Sequence, residues 1–151
     1  MRFSPFAAAC CLLLLAGCQK DRPILHDARI SDYHVSDCLL YTTKDATKDI
    51  TTDSIETNYH DGTLMVLHHM MADCGTNDHL TTTLQTHGDT ITITEHQGEQ
   101  GMTNCVCHYV DTIRVEDVPP SIITLVVNVE YVWFGIPHTT TVYSGTVNCR
   151  N

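Results

Sequence analysis

Residues Thr90-Ile91-Thr92-Ile93-Thr94 alternate without a break between polar and apolar β-branched side chains. Successive side chains of a strand point to opposite faces, so both isoleucines line one face and the threonines the other. On a helix, residues two apart lie about 200° around the axis, and the same pattern would leave no apolar stripe. The pattern recurs along the chain. Residues 81–84 lead into this segment, and Thr86-His87-Gly88-Asp89 reads as the turn closing a hairpin. Residues 64–71 are apolar on both faces, as in a central strand. Ile123, Leu125, Val127, Val129 and Tyr131 share one face of a long strand, opposite Thr124, Asn128 and Glu130. Val118-Pro119-Pro120 breaks the chain ahead of it, Phe134-Gly135-Ile136-Pro137 supplies the next turn, and residues 139–147 form a last β-branched run. The chain holds 22 threonines, which favour strands over helices, and it shows no helical stripe of useful length. Short strands about ten residues apart predict an all-β domain, an antiparallel β-sandwich of the Ig-like or a related type. A small up-and-down barrel is the alternative. The polar stretch 42–58 reads as a surface loop or a weak edge strand.

Composition sets the outer bounds. At 151 residues, with 42% apolar and 17% charged side chains, the chain suits one globular domain. Eighteen acids against eight bases give a net charge of −10, which argues against nucleic acid as a partner, because phosphate recognition needs clustered Lys and Arg. Eight cysteines suggest an oxidising compartment.

The first residues read as an export leader: Arg2 is the positive region, residues 6–15 the apolar region, and small residues follow. Leu15-Ala16-Gly17-Cys18 resembles a bacterial lipobox. That resemblance implies cleavage before Cys18, a diacylglycerol on its sulfur, and a protein held to a membrane by lipid. The expected division is a leader over 1–17, a lipidated tether over 18–33 and one β-sandwich over 34–151. Lys20-Asp21 is similar to the start of the signal that sends Bacteroidetes-type lipoproteins to the cell surface. The outer membrane is the expected location, with the surface and the periplasmic face both open.

Five cysteines remain in the body: Cys38, Cys74, Cys105, Cys107 and Cys149. Five is odd, so at most two internal bridges form. Cys105 and Cys107 share a strand face and are poorly placed to bond each other, so each should take a partner from a neighbouring strand. Cys74, just past the apolar 64–71 strand, suits one of them. Cys38 and Cys149, near the two ends of the domain, suit a closing bridge. The segment Cys105-Val106-Cys107-His108-Tyr109-Val110-Asp111 resembles a C-x-C-x-Tyr-Asp signature of small Bacteroidetes-type lipoproteins, with Val110 inserted before the acid. The resemblance implies compartment and a β-rich fold, and carries no activity.

The densest chemical cluster is His68-His69-Met70-Met71-Ala72-Asp73-Cys74. Imidazole, thioether and thiolate are ligands of copper or zinc, so His68, His69, Met70, Met71 and Cys74 are the candidate metal ligands. His68 and Met70 would share one strand face, and His69 and Met71 the other. A thiol-dependent redox role would use Cys105 and Cys107. His108 could not serve Cys107 as a base, because neighbours in a strand face apart. No catalytic residue is assigned. Asp111, Glu116 and Asp117 read as solvated charges, and Gly98 and Gly101 as a hairpin loop. Ten histidines allow a pH-sensitive surface. Tyr131, Trp133, Phe134 and Tyr143 surround the Gly135 turn. Exposed, they would make a glycan- or protein-binding patch; the shared phase with Val127 and Val129 instead places Tyr131 and Trp133 in the core. The expected function is a non-enzymatic binding or structural role at the envelope, toward an envelope protein or an extracellular ligand. A periplasmic copper- or zinc-binding protein and a thiol redox protein are the alternatives.

Overall fold

The computed structural model describes residues 25–38, 53–100 and 105–150. The segment expected to be a leader, and Cys18, lie outside the described residues. Among the described residues there are eight strands: β1 (Arg29–Val35), β2 (Ser54–His60), β3 (Thr63–Asp73), β4 (Thr81–His87), β5 (Thr90–Gln100), β6 (Val106–Glu116), β7 (Ile122–Trp133) and β8 (Ile136–Asn148). A single 3-10 turn over Thr76–Asp78 follows β3.

The strands make two four-stranded sheets, in the orders β1-β6-β3-β2 and β4-β5-β7-β8. This is the expected sandwich, and it is not a closed barrel. One pairing departs from the antiparallel rule: β5 and β7 run parallel, with Ile91 opposite Leu125 and Ile93 opposite Val127. The departure follows from the route between them. β6 belongs to the other sheet, paired with β1 and β3, so the chain leaves the β5 sheet and returns alongside it. Residues 95–115 are therefore not a hairpin. Gly98, expected in a hairpin loop, lies within β5 at a positive φ of 70°. It takes up the register shift between His96 and Glu99, as a β-bulge requires.

The alternation works as read. Ile91 and Ile93 are fully buried, as are Leu125 and Val127. β3 is central, but only its inward face is sealed; Met71 on the outer face is exposed. β2 is a sheet edge, matching the weak edge strand expected within 42–58, of which 42–52 lies outside the described residues. The body begins before residue 34, since β1 starts at Arg29 and Leu25 is buried with Val118, Ile123 and Cys149. Arg29 closes this end through ion pairs to Glu116 and Asp117.

The core has two clusters. The larger surrounds Leu64, Val66, Ile91, Ile93, Ile113, Leu125 and Val127. The smaller holds Met70, Ala72, Leu80, Cys107 and Tyr109. Between them, in inward phase on β3, β5 and β6, lie His68, Glu95 and Asp111.

Candidate functional site

Three groups of side chains depart from what a plain sandwich needs: an exposed aromatic tip, a buried polar layer and a cluster of sulfurs.

The aromatic tip closes the β7–β8 hairpin. Trp133 pairs with Ile136, and the two residues between them are Phe134 and Gly135. Both have positive φ, 51° and 73°, as a type I′ turn demands. That turn suits the twist of a hairpin, but it favours Asn or Gly at its first position; a bulky side chain there is strained. Phe134 is 66% exposed, Ile136 59% and Trp133 44%. Expected core packing of Trp133 is therefore overturned. Its phase on β7 is inward, but the strand runs past its last buried residue, Val129, and Tyr131 is only half-buried. On β8, residues 136–141 are all exposed. The Trp133 and Phe134 rings meet edge to face, 5.5 Å between centroids at 90°. Tyr131 stacks on His138 at 5.3 Å and props the base of the tip. Tyr143 packs against the larger core cluster, away from the tip residues.

The buried layer is built from three strands. His68 lies opposite Asp111 across the β3–β6 pair, and Thr82 lies opposite Glu95 across β4–β5. His68 Nδ1 donates to Glu95 Oε2 at 2.7 Å, joining the two sheets. His68, Glu95 and Asp111 are all completely buried. His68 Nε2 is left without a hydrogen-bond partner in this layer, while the Asp111 carboxyl lies within reach of both Glu95 and Thr82. Burial lowers the affinity of His68 for its proton, but the Glu95 hydrogen bond and the charges of Glu95, Asp53 and Asp111 outweigh it, so its pKa is raised. Burial first, and the Glu95 charge second, push Asp111 up to about 8, against an opposing pull from His68 and Thr82. Asp111 is thus a buried carboxyl that holds its proton far above the usual carboxylate range and not a solvated charge, whereas Glu116 and Asp117 are partly or fully exposed as expected. Glu95 and Asp111 are the residues that sequence reasoning missed; their phase with Ile91, Ile93, Tyr109 and Ile113 was the available signal.

The sulfurs sit at the end of the sandwich where β1 and β3 finish and β6 begins. Cys38 bonds Cys107, and Cys74 bonds Cys105. Cys74 takes one of its two expected partners. The expected Cys38–Cys149 bridge does not form: Cys149 is a free thiol buried beside Leu25 and Ile123, at the other end. Burial raises its pKa to about 11, which keeps it protonated and unreactive. Cys105 and Cys107 each find a partner off their own strand, as anticipated. Tyr109 Oη accepts from the Gly75 amide at 3.1 Å and donates to the Asp73 carbonyl at 3.3 Å, pinning the turn that carries Cys74.

The candidate metal ligands do not converge. His68 and Met70 are buried between the sheets; His69 and Met71 lie on the outer face; Cys74 is half-buried and carries no free thiol. His69 instead stacks on His108 at 5.6 Å. Burial, then the charge of His69, lower the pKa of His108, so it is neutral at pH 7. No helix among the described residues is long and apolar enough to cross a membrane. No protein-family model matches the chain, and comparison with curated proteins and with solved structures gave no match.

Proposed function

We propose that the protein is a lipid-anchored binding module of the bacterial envelope, and that its working surface is the β7–β8 tip. The observation that carries this reading is Phe134. Folding gains nothing from an exposed phenylalanine at a left-handed turn position, and a neighbouring Trp133 and Ile136 turn it into an apolar ridge. Trp is the side chain most enriched at the energetic centres of protein interfaces.

The ridge suits a groove on another protein. A sugar ring stacks on a flat aromatic face, whereas the two rings here stand at 90° and are flanked by an aliphatic side chain. The tip also lies at the opposite end of β7 from Leu25, where the described chain begins. The twelve residues of β7, eleven steps of about 3.3 Å, place it roughly 36 Å away. A chain tethered through Cys18 would present the tip outward from its own membrane.

The test is photo-crosslinking in intact cells, with a photoreactive residue at position 134 or, as a control, at 89 in the β4–β5 turn. A discrete protein adduct from 134 that is absent from 89, and lost when Trp133→Ala is added, supports the reading. Equal or no adducts at the two positions would remove it.

A further inference from the structure

Two disulfides that served only as separate staples would have no reason to touch. Here Cys74 Sγ lies 2.9 Å from Cys107 Sγ, a contact between different bridges. The Sγ atoms of Cys38, Cys74 and Cys107 all lie within 4.8 Å of one another, and the sulfur of Cys105 adjoins them through its bond to Cys74. In a tetrahedral thiolate site a zinc–sulfur bond of about 2.3 Å sets the sulfurs about 3.8 Å apart. The sulfurs of Cys38, Cys74 and Cys107 already lie within about an ångström of that spacing or closer, so small side-chain rotations would reach it.

The scaffold around them is firm. Cys38 follows β1, whose end is held by the Ser36 amide donating to the Val110 carbonyl at 2.9 Å. The Cys74 amide donates to the Cys105 carbonyl at 3.1 Å. Met70, Leu80 and Tyr109 close the inner side, where Cys107 is fully buried, while Cys38, Cys74 and Cys105 are half-buried and leave an open side for an ion. The four ligands come from three separate points of the chain, so a metal held there would replace both bridges as a clamp on the same strands.

We propose that these four cysteines are one site with two covalent states: two disulfides, or a closed tetrathiolate holding a single divalent ion of the zinc class. Passage between the states balances as follows. Two equivalents of a dithiol reductant are consumed, one per bridge, each delivering two electrons and two protons and becoming a disulfide itself. Four thiols result, and the ion displaces four protons as four metal–sulfur bonds form. Cys149 takes no part, being at the other end of the core.

The experiment uses the full chain in detergent, with Cys10, Cys11 and Cys18 replaced by serine. It is reduced with a phosphine without oxygen and titrated with Co2+, then Zn2+. One Co2+ per chain with the absorption of a tetrahedral thiolate complex, displaced by one Zn2+, is the expected result. Cys149→Ser leaves this unchanged, and Cys107→Ser weakens binding at least 100-fold. Should Cys107→Ser fail to fold, alkylation of the unsubstituted body decides: zinc must slow modification of Cys38, Cys74, Cys105 and Cys107 together. No stoichiometric uptake, equal uptake in the Cys107→Ser variant or in unfolding urea, or zinc protection absent from any of the four, would overturn the proposal.

Discussion

Asp111 shows how a single side chain can set the pH behaviour of a core. Its pKa is about 8 in the folded chain and near 3.8 when unfolded. Between those values the folded state holds a proton that the unfolded state has lost. Stability from this group is therefore fully present below pH 4 and falls as pH rises, by roughly 1.4 kcal/mol per unit, until the group ionises near pH 8. His68, whose pKa is raised above 6.5, adds loss of the same sign above that value. Asp111→Asn keeps the shape and removes the titration. Thermal unfolding followed by circular dichroism from pH 5 to 8.5 should show a steep decline for the native chain and a shallower one for the variant. Phe134 gives a second residue-scale expectation. Asn tolerates the left-handed turn, so Phe134→Asn should raise unfolding stability by about 1 kcal/mol in urea. Neither property was fully legible beforehand. Glu95 continues the inward phase of Ile91 and Ile93, and Asp111 that of Tyr109 and Ile113, but a carboxylate reads as solvent-facing until the histidine across the core is known.

At the scale of elements, strands whose two faces differ were legible and their neighbours were not. Alternation in β5 and β7 gave the inward sets directly, because one face is buried and the other carries Thr, Asn or Glu. Pairing depends on which strand lies alongside, and nothing local in β5 announces that β7 joins it in parallel. Trp133 failed for a related reason: phase says which way a side chain points, and only the length of the opposing layer says whether anything covers it. The β7–β8 hairpin should accordingly be uneven in motion. Its amides near Ile123 and Val147 lie over the core, whereas those of residues 136–141 are on an exposed edge. Native-state hydrogen exchange should be fastest in residues 136–141 and slowest near 123–127. Gly98 offers a sharper check. Gly98→Ala meets no crowding, since its nearest neighbour would be His79 Cβ at 3.8 Å. It must nonetheless hold a φ of 70°, and a loss of about 1 kcal/mol in urea unfolding is expected from that strain alone.

For the whole molecule, the bridges matter through the length of chain they close. Cys38–Cys107 spans 69 residues and Cys74–Cys105 spans 31. In the chain-entropy treatment, removing the first by Cys38→Ala with Cys107→Ala costs roughly 4 kcal/mol and removing the second slightly less. Urea midpoints of the two double variants should both fall, the longer loop more. The sheet orders have another effect, on how the chain acquires its shape. One sheet takes β1, β2, β3 and β6, and the other β4, β5, β7 and β8, so neither sheet is built from one unbroken run of the chain. β1 finds β6 only after some 80 residues have been synthesised beyond it, with Arg29 opposite Glu116. A chain synthesised in order thus completes neither sheet before β6 has appeared. β5 stays open along one side until β7 arrives, and its Ile91 and Ile93 stay wet until then. Folding should be slow, on the scale of milliseconds to seconds typical of such non-local sandwiches, and all-or-none. Throughout that interval the strand edges that β6 and β7 will cover stay open to other chains.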